Sequence, residues 1–410
     1  MRPSSPLHLA RRLGCLAAAL AALAPHAVPA AAEPVRIGVI TSLSGSFATF
    51  GGMEVAGYKV GVAEINARGG VLGRPLELVI EDDASNQNAA LTAAEKLIGR
   101  GVPLILGAFA SSVTKPLAGY LTRERVPLLN SNSADTSITK PGSPWVFRVG
   151  QTTDSFADAC FDLARSLPGL KTVAILVSND ALGRSAATSA RERAKASGMT
   201  VVAEQTYDRG LTDFRPTLNA FKALSPDLVV LSSYEEDAAA LMRQAKEVAL
   251  EPKLFTSVGA TGYAIPQFIT GAGDAAEYVT SASPWRPEAK YPGAQDLYVR
   301  LKAALGGEPS HHAAKAYGGI MAAADAIRRA GSLDREAVRK ALEQTKMMTA
   351  FAPISFESFA GYRNQNPAPS LVIQVQDRKF AVIWPRSAAS DAVRFPTPPW
   401  SRRPAPGGAR

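Results

Sequence analysis

Short runs of apolar and β-branched residues alternate with longer helical patterns along most of the chain. The run VRIGVI (35–40) predicts a strand, and residues 51–70 a helix closed by Gly69 and Gly70. LELVIEDD (76–83) predicts the next strand, followed by a helix over NAALTAAEKLIGRG, a strand over VPLILGAF, a helix over SVTKPLAGYLTRER and a strand over VPLLNS. The cycle restarts after Gly150. Helices at 154–167, 184–197, 213–224 and 235–249 then separate the strands TVAILV, MTVVAEQTY, DLVVLSS and KLFTS. Strands that are apolar throughout, separated by helices, imply parallel sheets covered on both faces. The right-handed crossover rule turns this into an α/β chain with two Rossmann-like, doubly wound lobes. From Tyr278 the alternation stops. Helices near 292–306, 311–330 and 334–344 precede the extended runs APISFE, SLVIQVQ and KFAVIWP, which read as returns of the chain that complete each lobe.

Composition fits such a body: 46% hydrophobic and 20% charged residues exclude a mainly disordered chain, and 410 residues exceed one core. The formal net charge of +9 suggests an anionic polymer as partner until it is located. Arg2, Arg11 and Arg12 place three of those charges in residues 1–32, and five arginines against Asp391 place four in residues 386–410. Only +2 is left for the body between them, so no nucleic-acid partner is expected. Residues 1–32 combine Arg11-Arg12, a short apolar run and Ala30-Ala31-Ala32, the order of a secretory signal peptide. Residues 386–410, rich in Pro, Gly and Arg, read as a disordered basic tail. Export would leave Cys160 as the single cysteine, a small apolar residue in a helical pattern, with no disulfide to form.

Groups for catalysis are scarce. His311 and His312 are the histidines of the exported chain, adjacent and so divergent on a helix, and read as a solvated helix start. No P-loop occurs, GAGDAA (271–276) reads as a turn, and Asp82-Asp83 as carboxylates that orient backbone. No enzyme, cofactor or metal site is therefore expected. The informative positions follow strands, where open α/β sheets bind ligands. Ala110, Ser111 and Ser112 open a helix whose free N–H groups, hydroxyls and dipole suit a carboxylate. The polar run 130–133, including Asn132 and Ser133, is longer than a turn requires. The first glycine-bearing loop is tipped by Phe47 and Phe50, which must face a ligand or the opposing lobe to stay out of water.

Five segments in order carry a resemblance: RIGVITSLSGSFATFGG, EINARGGVLGRPLELVIEDDASN, LILGAFASSVTKP, DFRPTLNAFKALSPDLVVLSSY and DAAALMRQAKEVALEPKLF. Together they resemble the periplasmic leucine/isoleucine/valine-binding proteins, the substrate-binding components of ABC importers, from about residue 35 to 385. The likeness implies the type 1 periplasmic binding fold, with two lobes joined by a three-strand hinge that close on a ligand. It implies crossings near 145–150, 279–284 and 349–354. Lobe 1 is then 33–147 with 284–350, and lobe 2 is 148–283 with 351–385. The ligand carboxylate would meet Ser111 and Ser112, beside Ala110, and the loop of Asn132, Ser133 and Ala134. The far lobe would supply groups near 179–182, with Tyr234 and Glu235, and an acidic residue after the strand ending near Ser257.

Four positions depart from the amino-acid binders: Ala134 replaces a threonine, Phe50 and Leu182 replace tyrosines, and Gly259 stands where the ammonium-binding glutamate would lie. A buried α-ammonium without an anion costs several kcal/mol, on the order of 3–5. Either Glu235, Asp180 or Asp237 takes that role, or the ligand has no ammonium. The expectation is a periplasmic, monomeric receptor that captures an amino acid or related small carboxylate and delivers it to an inner-membrane ABC permease. Its alternatives are a receptor for an aromatic or aliphatic acid or amide, and a ligand sensor without transport role.

Overall fold

The computed structural model describes residues 33–259 and 261–403. The signal peptide expected at 1–32 lies outside the described residues, as does the chain from 404 on. The first sheet starts with β1 (Val35–Thr41), α1 (Ala48–Ala67), β2 (Leu76–Asp82), α2 (Gln87–Gly99), β3 (Ile105–Gly107), α3 (Ser111–Arg123), β4 (Leu128–Asn130) and β5 (Val146–Arg148). The strands pair in parallel in the order 2-1-3-4-5. The second sheet repeats this plan with α4 (Thr153–Arg165), β6 (Thr172–Ser178), α5 (Ala181–Ala196), β7 (Thr200–Tyr207), α6 (Arg215–Leu224), β8 (Leu228–Ser232), α7 (Glu235–Glu247), β9 (Leu254–Ser257), α8 (Pro266–Ala272) and β10 (Thr280–Ser283). Its parallel order is 7-6-8-9-10.

The chain then returns to the first lobe as α9 (Ala294–Leu305), α10 (His311–Ala330) and α11 (Arg335–Glu343), followed by the hairpin of β11 (Lys346–Met348) and β12 (Pro353–Ser355). Four more strands finish the sheets: β13 (Glu357–Phe359), β14 (Tyr362–Gln365), β15 (Leu371–Gln376) and β16 (Lys379–Trp384). The completed orders are 13-14-5-4-3-1-2 and 16-15-10-9-8-6-7, two doubly wound α/β lobes of like design.

Two expectations need correction. The third crossing is not at 349–354: β13 and β14 extend the first sheet beside β5, and the chain crosses only between Gln365 and Leu371. The cause is Arg148, which is fully buried and must find acceptors. Its guanidinium donates to Gln365 Oε1 at 2.6 Å, to the carbonyls of Asp135 at 2.7 Å and Ser133 at 3.3 Å, and to Thr139 Oγ1. Desolvation lowers its pKa to about 10, so it stays cationic.

The tail is not loose over its described part, because its few apolar side chains find the body. Trp400 donates Nε1–H to the Leu250 carbonyl at 2.8 Å and lies 6.2 Å from the Phe255 ring. Arg403 covers its outer face at 3.3 Å, and Thr397 N–H donates to the Lys253 carbonyl at 2.9 Å.

The placement of the site begins with α1 against α10. Their backbones meet where α1 has no side chains: a Cβ on Gly57 would lie 2.0 Å from the Ala313 carbonyl oxygen, and one on Gly61 2.3 Å from Ile320 Cγ2. Close packing tolerates no such overlap. Gly57→Ala is therefore expected to cost about 1–3 kcal/mol in chemical denaturation. Gly52→Ala, in the same helix with open space around it, should cost nothing; equal effects would remove the argument.

Candidate ligand-binding site

The loops that follow β3, β4, β8 and β9 meet the first turn of α10 between the lobes. Phe109, Ser111, Asn132, Ser133, Ala134, His312 and Lys315 line the cavity from the first lobe. Phe156, Leu182, Tyr234, Gly259 and Thr261 line it from the second. The lobes are nearly closed: the open space left is about 10 Å³, close to the room of one water molecule. A ligand enters only if they part. Larger grooves exist, such as one of about 460 Å³ lined by Asp154, Tyr362 and Trp384, but that one lies at the hinge and not between the strand ends.

The helix start at 110–112 splits in role. Ala110 is the N-cap of α3 and has no side-chain oxygen to cap the first turn; Val113 N–H donates to the Ala110 carbonyl at 3.0 Å, which leaves the N–H groups of Ser111 and Ser112 uncapped. Ser111 is buried at the cavity, its Oγ accepting from Asp135 N–H at 3.3 Å. Ser112 is exposed and does not line the cavity, since the next residue on a helix turns about 100° away. Ser133 is tied inward, donating to the carbonyls of Phe109 at 2.8 Å and Ala108 at 3.0 Å.

Behind the cavity lies a polar network centred on Asn132. Its Nδ2 donates to Glu54 Oε1 at 2.7 Å and to the His312 carbonyl at 3.2 Å. Its Oδ1 lies 2.8 Å from His312 Nδ1, and its backbone carbonyl accepts from Lys315 Nζ at 3.2 Å. Thr41 Oγ1 donates to the other Glu54 oxygen at 2.6 Å. All of these side chains are buried, His312 and Lys315 to 2% and 1% exposure. Desolvation dominates their charge: it raises the Glu54 carboxyl to about 7, lowers the Lys315 ammonium to about 7, and holds the His312 imidazole well below its usual value. Glu54 opposes the shift of Lys315 by attraction, and Arg148 adds to it by repulsion.

His312, Lys315 and Glu54 were not anticipated from the sequence, and the expectation that His311 and His312 form a solvated helix start is wrong. A signal existed. Between His311 and Ile327, α10 is almost continuously Ala, Gly and apolar, a helix buried on every side, so polar residues inside it had to be buried too. Phe109, Phe156 and Thr261 were also missed, for want of any distinctive spacing.

No carboxylate lines the cavity among the described residues. A Cβ on Gly259 would lie 2.4 Å from Ser232 Oγ, so an acid at this position would have to displace that hydroxyl. Asp180 caps α5, its Oδ1 accepting from Gly183 N–H at 2.8 Å. Asp237 accepts from Tyr207 OH at 3.3 Å, away from the cavity. Glu235 is half-buried and lines an outer groove with Thr49 and Phe50.

The chain and its fold match known proteins. Residues 34–379 match the sequence family described as periplasmic binding protein. The chain belongs to that family. A curated relative from Pseudomonas aeruginosa, named leucine-, isoleucine-, valine-, threonine- and alanine-binding protein, is 26% identical over 86% of this chain and 94% of its own. A branched-chain amino acid transporter substrate binding protein from Streptococcus pneumoniae, solved in complex with isoleucine, superposes with a TM-score of 0.77 at 23% identity, covering 86% of this chain and all of that one. An ABC-transporter solute binding protein from Rhodopseudomonas palustris, solved in complex with 3,4-dihydroxy benzoic acid, gives 0.75 at 23% identity over 88% and 99%.

In this periplasmic binding protein the mouth of the cleft is aromatic and joins the two lobes. Phe50 stacks on Phe109, centroids 4.6 Å apart and planes 7° from parallel, and so stands behind the cavity wall. Phe47 lies 5.0 Å from Tyr234 of the second lobe. Arg209, from the loop after β7, places its guanidinium 4.1 Å from the Phe47 ring and 4.6 Å from that of Tyr234. It also donates to Ser46 Oγ at 3.3 Å. A cation held between two rings is worth about 0.5–2 kcal/mol, and here it exists only when the lobes are closed. Arg209→Ala should therefore weaken ligand binding by roughly threefold to tenfold in calorimetry, mainly through faster release, with unchanged thermal unfolding of the unliganded protein. Unaltered release would show that the contact does not hold the lobes together.

Proposed function

We propose that this protein is the periplasmic receptor of an ABC importer and captures a small carboxylate with an apolar or aromatic body and no α-ammonium group. The observation that carries this reading is the chemistry of the cavity wall. One buried amine and an uncapped helix start face it, five aromatic or aliphatic side chains surround it, and no carboxylate reaches it among the described residues. An amino acid would bury its ammonium near Lys315 with no anion in contact. A carboxylate without that group can meet the Lys315 amine and the α3 N–H groups and leaves no ammonium unpaired. The relatives' names span both ligand classes, and the wall favours the second.

Capture needs no bond to be made or broken. The open form admits the anion, Lys315 and the α3 N–H groups take its oxygens, and closure brings Leu182, Tyr234 and Phe156 over its body. Charge-assisted hydrogen bonds worth about 1.5–3 kcal/mol each, with apolar burial, would support micromolar binding at about −8 kcal/mol after closure is offset. The closed receptor would then dock on an inner-membrane permease as a monomer.

The amine gives this reading a pH signature. In the unliganded cleft Lys315 titrates near 7, so at pH 8 it is mostly neutral. A bound carboxylate favours the ammonium form and raises that value. Binding then takes up a proton, and affinity falls as pH rises above 7. With benzoate as probe, calorimetry at pH 8 in buffers of different ionisation enthalpy should show uptake approaching one proton per ligand. Lys315→Met should remove most of that uptake and weaken binding at least tenfold, on the order of one charge-assisted hydrogen bond. Benzoate binding without proton uptake, or unchanged uptake in Lys315→Met, would contradict the assignment of the amine.

A further inference from the structure

The ring of His312 carries information about the ligand that its neighbours do not. The Asn132 amide is fixed in orientation, because one partner of its Nδ2, the His312 backbone carbonyl, can only accept, and Glu54 Oε1 takes the other N–H at 2.7 Å. Its Oδ1 is therefore the atom facing His312 Nδ1 at 2.8 Å, and Nδ1 must hold the proton. Burial keeps the ring neutral. Nε2 is then a bare lone pair, and it is buried with no partner among the described residues on a ring that lines the cavity. The ring cannot turn to find another partner. It is held edge-on to Phe50 at 5.3 Å and to Phe109 at 5.2 Å.

We infer that His312 is a specificity residue that accepts a hydrogen bond from a hydroxyl on the ligand, so that the cleft takes a hydroxylated small carboxylic acid. This rests on the proposal that the cavity binds a carboxylate and names a second group on that ligand. An unpaired buried acceptor carries a desolvation penalty that a ligand donor relieves and an unsubstituted ligand does not. A neutral donor fits better than a cationic one, because Lys315 lies one turn further along the same helix face. The same helix thus presents two readers: an amine for the carboxylate and, three residues earlier, an imidazole for the hydroxyl.

The test compares benzoate with 3-hydroxybenzoate and 4-hydroxybenzoate by calorimetry, on wild type and on His312→Leu and His312→Gln. At least one hydroxybenzoate should bind wild type about tenfold tighter than benzoate, one net hydrogen bond's worth. His312→Leu should bind all three alike, and His312→Gln, which keeps an acceptor oxygen, should restore part of the preference. An independent readout needs no variant: the ¹⁵N resonance of His312 Nε2 in wild type should move upfield with the preferred hydroxybenzoate and stay put with benzoate. Benzoate binding with no hydroxyl preference in wild type, or a preference that survives in His312→Leu, overturns this inference and leaves the carboxylate reading standing. Failure of all three acids to bind wild type overturns that reading and this inference with it.

Discussion

A lysine amine sealed inside a protein with no carboxylate in contact among the described residues is the constraint on which the rest of this structure turns. Burial pushes Lys315 toward the neutral amine, and what it reaches in the protein is a backbone carbonyl, that of Asn132. Glu54 stands behind Asn132 and helps by attraction from a distance, its own carboxyl raised by the same desolvation. Such a group is costly to fold around and useful to bind with, because an arriving anion supplies what the interior withholds. The glycines of α1 serve this arrangement. They let α10 approach to backbone contact, which sets Glu54 of one helix and His312 and Lys315 of the other around a single asparagine.

Each lobe is rigid for a reason separate from the ligand: both sheets are wound the same way and covered on both faces. The crossings between them are tied to one another, Gln151 Nε2 donating to the Pro284 carbonyl at 3.4 Å and the Pro369 carbonyl at 3.0 Å. Arg148 and Gln365 fasten the edge of the first sheet near two of the crossings, and the Arg209 contact at the mouth exists only across the cleft. Closure is thus a small balance between two stable bodies, which a ligand of a few well-placed groups can tip.

Much of the fold could be read in the chain because parallel strands buried on both faces leave continuous apolar runs. VRIGVI, TVAILV and DLVVLSS each became a central strand. The polar hairpin Glu357–Gln365 left no such run, since it lies at an edge and pairs through the needs of a buried arginine. The tail misled by its proline content, although Trp400 was apolar enough to find the body. Among site residues, Ser111, Asn132, Ser133, Ala134, Leu182, Tyr234 and Gly259 line the cavity because they follow strand ends or start helices. Ser112 falls on the outer face by the helical angle, while Phe50 and Glu235 stand at the outer groove. His312 and Lys315 come from a helix some 180 residues beyond Asn132, and local pattern carries no trace of that contact.

On the proposed reading, this cleft is built for an anion that carries no cation of its own. Matched pairs isolate that one difference: 3-phenylpropanoate against phenylalanine, and 4-methylpentanoate against leucine, each pair sharing a skeleton and differing by the α-ammonium. Calorimetric titration of the purified protein with all four measures it directly. The account predicts binding of at least one deaminated acid and none of its amino-acid partner. Tight binding of leucine or phenylalanine with no response to the acids would contradict it.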